Sequence, residues 1–243
     1  MPEHIKLPFL ETKISLLDLQ NLEKKGFLRV IFIELLKAER IKNTIPNEFQ
    51  INQTKEDFFL KYNIHQFNNK KDNQIFINNL NKEILKLASL KKLSLDQFSS
   101  QAEKIFQIKR EYYYDQYYYS LLRNKNKNQI FEFYYQIESN ESNINNLSKE
   151  YSSGAEKSKL GIIGPVNLSN IQSEIAEILK FSKDSVVNDP IELNNEWYLI
   201  QREKFIPAKY NKYYENHICM ELLERELENE YEKEYLNLMN NKN

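Results

Sequence analysis

The sequence predicts an α+β protein in which a helical lobe is interrupted by an inserted α/β module. Apolar residues recur at helical spacing over most of the N-terminal half, short apolar stretches then alternate with helical segments, and helical spacing returns from Lys209 to about Met239. The predicted units are a helical domain at 1–112, an α/β domain at 113–207, and a C-terminal helix at 208–243 that packs on the helical domain.

In the N-terminal part, helix signals and stop signals define successive amphipathic segments. Pro46 disfavours helix at Ile45 and ends the first helical region. Thr54, followed three residues later by Asp57, resembles a capping box and predicts a helix start. The predicted helices are 15–41 as one or two helices, 55–63, 72–90 and 94–114.

From about 113 onwards the pattern predicts strands and helices in the order β-α-α-β-α-β-β. Strand signals occur at 117–122, 160–166, 186–193 and 196–202, and helix signals occur at 129–138, 143–151 and 173–181. In the last of these strands, alternation puts Trp197 and Leu199 on one face and Tyr198 and Ile200 on the other. The C-terminal helix carries an apolar stripe that includes Leu223.

Charge and composition exclude several classes of function. The 243 residues contain 34 Lys and Arg against 35 Asp and Glu, a formal net charge of −1, so the basic excess of most nucleic-acid binders is missing. With only 4 glycines, the chain cannot form the glycine-rich loops that cradle nucleotide phosphates. We therefore expect no nucleic-acid partner, and the sequence indicates no cofactor.

The signals of membrane insertion and export are also missing. The most apolar stretch, Phe27–Ala38, carries Arg29 and Glu34 and is far shorter than the ~20 apolar residues that span a bilayer. The single cysteine, Cys219, cannot form an internal disulfide, and the N-terminal residues lack the pattern of a signal peptide. The sequence thus predicts a cytoplasmic protein without membrane insertion.

Two other features have competing interpretations. The tyrosine run from Tyr112 to Tyr119 could stack on single-stranded nucleic acid, but such platforms need a cationic groove, so half-buried tyrosines at a helix-to-strand junction are favoured. The acidic run Glu221–Glu234 could form a partner-binding helix, although a solvated face opposite a packed stripe is favoured.

No metal site is predicted from the histidines and the cysteine. His217 and Cys219 are two residues apart on a predicted helix and therefore point in different directions. His4 and His65 have no acidic or sulfur partner at ligand spacing. We therefore expect a function that does not require a bound metal.

Five segments of the module resemble, in this order, the parvulin family of peptidyl-prolyl cis-trans isomerases. They are Tyr117-Tyr-Tyr-Ser-Leu-Leu, like the family's His-Ile-Leu strand; Leu147-Ser-Lys-Glu-Tyr-Ser-Ser, like L-A-x-x-Y-S; Lys159-Leu-Gly-Ile-Ile-Gly-Pro-Val, like G-G-D-L-G; Val187-Asn-Asp-Pro-Ile, like V-S-x-P-V; and Trp197-Tyr-Leu-Ile-Gln-Arg, like Y-H-I-I-K-V. The resemblance covers about 113–207. The helical N-terminal part and long C-terminal helix also look like SurA-type chaperones and parvulin-like proteins of cyanobacteria.

The resemblance implies an active site whose polar residues are replaced here. Ser120 and Tyr198 stand at the positions of the family's two histidines, and Lys159 stands at the position of its Asp or Cys. A hydrogen bond between Ser120 and Tyr198, across neighbouring strands, is one hypothesis for a substitute. The residues that match the family's apolar proline slot or the surrounding core are Leu168, Ile171, Ile178, Leu179 and Trp197.

The function implied by the resemblance is that of an isomerase-like folding factor. Isomerisation of an X–Pro bond needs an apolar slot and surroundings that favour the twisted amide, without a nucleophile or metal. The resemblance therefore implies a folding factor or chaperone that binds extended or proline-containing polypeptide, with isomerase activity weak or lost. The alternative is a non-catalytic adaptor that uses a degenerate parvulin domain to dock one partner protein in export or complex assembly.

Overall fold

The structure is a computed structural model that describes residues 4–5, 14–63 and 74–240. His65 and the predicted helix start at Asp72 lie outside these residues. The described helices are α1 Leu16–Lys24, α2 Leu28–Arg40, α3 Glu48–Lys61, α4 Gln74–Lys109, α5 Lys127–Glu138, α6 Ile144–Tyr151, α7 Ser173–Phe181 and α8 Lys212–Asn240. The described strands are β1 His4–Ile5, β2 Ile14–Ser15, β3 Gln116–Asn124, β4 Ile162–Val166, β5 Ile191–Leu193 and β6 Glu196–Ile206. These elements confirm the predicted α+β class.

The chain divides into two compact units. One unit comprises 1–103 and 211–243, and the other comprises 104–210. The sequence pattern divides the chain at 112/113 and 207/208 instead, and those domain boundaries stay a prediction. Within the described residues, no helix has both the length and the apolarity needed to cross a bilayer.

The helical unit has a core formed by α2, α4 and α8. Its buried side chains are Phe32, Leu36, Leu90, Leu223 and Leu227. At the edge of this core, Arg40 contacts Glu226 at 3.1 Å and Glu230 at 2.7 Å. Hydrophobic burial in this unit thus depends on residues far apart in the sequence.

Two predictions about the N-terminal helices are wrong. The helix predicted at 55 begins at Glu48 instead, because Asn47 and Gln50 form a reciprocal capping box. Thr54 is buried inside that helix, where its hydroxyl donates to the Gln50 carbonyl at 2.8 Å. The helices predicted at 72–90 and 94–114 are one continuous helix over Gln74–Lys109. Within it the buried Ser94 hydroxyl donates to the Lys91 carbonyl and does not cap a new helix.

The second unit is built on an antiparallel sheet in the order β4-β3-β6-β5. The helices α5 and α6 cover one face of the sheet and α7 covers the other. Tyr198 and Ile200 lie on the α7 face, whereas Leu199 and Trp197 lie on the opposite face. The predicted order β-α-α-β-α-β-β and the predicted faces of the last strand are therefore confirmed.

A buried aspartate lies at the junction between α4 and β3. A π-helical turn at Arg110–Tyr114 joins the helix to the strand, and the Asp115 carboxylate then accepts the Ala208 N–H at 2.7 Å. The Asp115 carbonyl accepts the side-chain amide of Asn167 at 2.8 Å. Burial raises the pKa of Asp115, although the Ala208 N–H and Arg110 oppose this.

Two substitutions of Asp115 are expected to distinguish the effect of its buried charge on stability from the effect of its hydrogen bond to Ala208. Asp115→Asn keeps an acceptor for the Ala208 N–H and is at least as stable as the wild type near pH 7. Because the folded-state pKa is raised, the wild type gains stability relative to this variant as the pH falls through that pKa. Asp115→Ala leaves the N–H unpaired and costs about 1–3 kcal/mol.

Urea unfolding followed by the fluorescence of Trp197, the single tryptophan, measures these differences. A wild type that is clearly more stable than Asp115→Asn near neutral pH would contradict the proposed effect of burial.

Candidate functional site

The central strands β3 and β6 determine which candidate residues can meet. Leu121 pairs with Ile200 and Leu122 pairs with Leu199 in this antiparallel ladder. Residues directly opposite each other in such a ladder share a face of the sheet, and neighbours along a strand alternate between faces. The face covered by α7 consequently carries Leu121 and Ile200, and the opposite face carries Leu122 and Leu199.

Ser120 and Tyr198 lie on opposite faces of the sheet. Ser120 pairs with Gln201, is fully buried, and its hydroxyl accepts the Asn145 side-chain amide from α6 at 2.7 Å. Tyr198 belongs to the apolar cluster beneath α7. The hypothesis of a hydrogen bond between Ser120 and Tyr198 is therefore wrong, because the strand register separates them by the thickness of the sheet.

Tyr198 instead lies opposite Arg123 in the ladder, and Arg123 belongs to a partly buried ion pair. The Arg123 guanidinium binds the Glu156 carboxylate at 3.1 and 3.2 Å, and the Ser152 hydroxyl donates to the same carboxylate. A hydrogen bond with Tyr198 and the charge of Glu156 raise the pKa of Arg123. The Glu156 side chain is only 5% exposed, whereas that of Arg123 is 31% exposed. The cluster thus holds a nearly buried carboxylate whose partners are a guanidinium and a hydroxyl.

Two glycines allow the chain to pack closely around this cluster. A Cβ at Gly154 would overlap the Arg123 guanidinium and the Glu156 carboxylate. At Gly161 the backbone has φ +75°, and a Cβ would lie 2.6 Å from both the Leu121 carbonyl oxygen and the Ser148 hydroxyl. Glycine is therefore required at 161 for both conformation and space.

Lys159 lies at a pocket next to the ion pair. It is exposed and shares the lining of a surface pocket of about 440 Å³ with Glu156 and the edge-strand residues Ile162 and Ile163. The ammonium group is therefore at the surface, unlike the nearly buried carboxylate of Glu156.

Four of the five predicted slot residues come together with Tyr198. Leu168 and Leu179 are buried in the cluster beneath α7, and Ile171 and Ile178 pack against it with partial exposure. Trp197 does not join them. It lies on the other face, where its ring is 5.6 Å from that of Phe131 and 4.6 Å from the Lys127 ammonium.

The predicted slot is closed in this structure. Tyr117, Tyr119 and Tyr198 fill the sheet face beneath α7, each no more than 4% exposed, and Leu179 is fully buried. A proline ring would have to displace one of these side chains to reach the face. The described residues contain no group of three or more His, Cys, Asp or Glu side chains that could hold a metal ion.

The sequence pattern did not reveal the ion pair of Arg123 with Glu156 or the burial of Tyr119 beneath α7. Arg123 directly follows the apolar pair Leu121-Leu122 near the end of β3, and a charged residue in a half-buried strand is a signal that could have marked it as one with a buried partner. Glu156 comes from a short helical turn 33 residues later, and no local pattern links the two residues.

Tyr119 should give the unit a distinct response to alkaline pH. Burial and the nearby charge of Glu156 raise the pKa of Tyr119 to about 12, compared with about 10 in the unfolded chain. Because the folded protein holds the phenol neutral, Tyr119 contributes up to about 2 kcal/mol to the free energy of unfolding. This contribution is fully present below pH ~10 and is lost as the pH rises towards ~12. We therefore expect Tyr119→Phe to gain stability relative to the wild type over this range.

Urea unfolding of both proteins at increasing pH measures the difference. A constant difference between the two proteins across the range would show that the phenol of Tyr119 ionises normally.

Comparison with solved structures finds peptidyl-prolyl isomerases and chaperones. The isomerase PrsA of Bacillus anthracis is 16% identical to this chain. The aligned region covers 81% of this chain and 88% of the PrsA chain, with a TM-score of 0.40. PrsA of Bacillus cereus has 12% identity, with coverage of 98% and 92% and a TM-score of 0.41. A SurA-like chaperone of Campylobacter jejuni has 9% identity, with coverage of 98% of both chains and a TM-score of 0.41.

The structures to which the chain is similar are named as peptidyl-prolyl isomerases and SurA-like chaperones, the same kinds of protein that the sequence motifs resemble. No protein-family model matches the chain, and no curated protein matches it.

Proposed function

We propose that this protein is an isomerase-like folding factor that binds extended or proline-containing segments of client polypeptides and has little or no isomerase activity. The observation that carries the proposal is the meeting of Tyr198 with Leu168, Ile171, Ile178 and Leu179 on one face of the sheet. Those residues were matched separately to the family's site, and their meeting supports a parvulin-like module. A cytoplasmic location stays a prediction.

The contents of that face support binding without efficient catalysis. Catalysis of amide rotation requires the site to bind the twisted amide more tightly than the planar one. Here Tyr198, Leu168 and Leu179 are all buried in the packed face beneath α7. A substrate would first have to open a packed core, which costs binding energy that an open slot would not require.

Exchange NMR on short X–Pro peptides tests the catalytic part. At substoichiometric protein the cis/trans exchange rate is expected to stay at the uncatalysed value, for the wild type and for Tyr198→Ala. Acceleration that the substitution removes would overturn the proposed loss of activity and would identify Tyr198 as a catalytic residue.

Light scattering during thermal aggregation of citrate synthase tests the chaperone part. We expect the full chain to delay aggregation at molar ratios near one. If the aggregation curve is the same with and without the protein, general client binding is ruled out.

The closed face also favours the second candidate, an adaptor that docks one partner. A packed sheet face is suited to one complementary surface, whereas a chaperone surface must adapt to many sequences. Binding to an array of unrelated unfolded peptides distinguishes the two: binding to many favours the folding factor, and binding to none favours the adaptor.

A further inference from the structure

The helical unit has an elongated surface groove between α3, α4 and the beginning of α8. Two adjoining depressions of about 200 and 480 Å³ form it, and they share Lys91 and Asn216 in their linings. All lining residues belong to the helical unit. We refer to the two depressions together as the α3–α8 groove.

Large apolar side chains line the groove at the surface. Leu60 is 76% exposed and Tyr213 is 71% exposed in the larger depression, where Met220 is half-buried. Phe49 is 73% exposed in the smaller depression. Apolar area of this kind along one groove is typical of a binding surface, because covering it releases water from both partners.

One polar atom in the groove lacks the partner that its burial requires. The Asn216 side-chain oxygen is buried and has no hydrogen-bond partner, and Asn216 lines both depressions. A buried acceptor without a donor destabilises the unbound protein, because it has lost its hydrogen bond to water without gaining another. An incoming N–H group would satisfy it, and an extended peptide supplies such groups along its main chain.

Charge in the groove favours an acidic partner. The lining contains four lysines and one carboxylate, that of Asp57; the lysines are Lys61, Lys91, Lys92 and Lys212. Three of these lysines form ion pairs: Lys91 with Asp57, Lys92 with Asp96, and Lys212 with Glu215. Asp96 and Glu215 lie outside the lining of the groove. The Lys61 ammonium lies 5.5 Å from the Tyr62 ring and adds an excess positive charge.

We propose that the α3–α8 groove binds an extended client segment in which apolar side chains are flanked by carboxylates. In this arrangement the apolar side chains contact Leu60, Tyr213 and Met220, a main-chain N–H donates to the Asn216 oxygen, and the flanking carboxylates approach the lysines. The inference rests on the proposed function in taking the ligand to be a client polypeptide. It adds a binding site in the helical unit and a sequence preference.

Fluorescence anisotropy with the full chain tests the groove. The probes are two short fluorescein-labelled peptides with the same Leu-Phe centre, one with Asp and Glu flanks and one with Lys flanks. The acidic peptide should bind more tightly, and its affinity should fall with salt because screening weakens charge attraction. Leu60→Ser should weaken it about tenfold, and Asn216→Leu should weaken it by several fold because the acceptor is lost.

The matched control is Leu236→Ser, which removes an apolar side chain, 58% exposed, from α8 outside the groove. It should leave the affinity unchanged, and circular dichroism checks that all variants are folded. If both peptides bind equally well, or if Leu60→Ser and Asn216→Leu keep the wild-type affinity, the proposal that the α3–α8 groove binds such a segment is wrong. If the protein still delays citrate synthase aggregation in that case, only the groove is wrong; if it fails in both assays, the proposed function fails as well.

Discussion

Gly161→Ala is expected to destabilise the sheet-containing unit by about 2–5 kcal/mol. A non-glycine residue at positive φ costs about 1–2 kcal/mol, and overpacking adds about 1–3 kcal/mol. The new methyl group would lie 2.6 Å from the Leu121 carbonyl oxygen, so the backbone of β3 or the turn before β4 has to move. Urea unfolding followed by Trp197 fluorescence reports on this unit, since the single tryptophan lies in β6.

Gly26→Ala is the matched control for the backbone part of this effect. Gly26 has φ +73°, close to the +75° of Gly161, but a Cβ there has no neighbour within 4 Å. It should cost only the about 1–2 kcal/mol of the left-handed conformation, measured by circular dichroism. Equal losses in the two variants would show that close packing at Gly161 contributes nothing.

Arg123→Ala is expected to destabilise the same unit by about 2–4 kcal/mol. The substitution leaves the Glu156 carboxylate, which is 5% exposed, without its bidentate partner. Removing one member of a fully buried ion pair costs about 3–5 kcal/mol. The smaller expected loss reflects the 31% exposure of Arg123, which lets water reach the pair.

A second substitution should recover part of this loss. In Arg123→Ala combined with Glu156→Gln, the uncompensated charge is gone, so the double variant should be more stable than Arg123→Ala alone. The exposed pair of Arg29 with Glu228 serves as the control, and Arg29→Ala should cost at most about 1 kcal/mol. A loss at Arg123 no larger than the loss at Arg29 would show that the buried carboxylate is well solvated.

The local elements could be predicted from the sequence because each reflects a repeating burial pattern. Alternation in β6 correctly separated Trp197 and Leu199 from Tyr198 and Ile200, since a half-buried strand must alternate. The ends of helices are harder to predict from the sequence, because similar capping patterns can occur inside a helix. Asn47 and Gln50 cap α3, but the Thr54 and Asp57 pattern resembles the same signal, and only the packing of the helix distinguishes them.

The candidate site was only partly predictable. The residues Leu168, Ile171, Ile178 and Leu179 meet as the family resemblance implied. The pairing of Arg123 with Glu156 was not foreseen, because partner choice across 33 residues depends on how the chain returns to the sheet. The groove lining in the helical unit was likewise invisible, since α3, α4 and α8 come from distant parts of the sequence.

By itself, the sequence determined the α+β class, the order of elements in the module and which residues of β6 share a face. Only the tertiary structure decided that Ser120 and Tyr198 are separated by the sheet and that α4 is one helix. The physical reason is that periodicity records burial along one element, whereas register, ion pairing and pocket shape arise when elements from distant parts of the chain pack together.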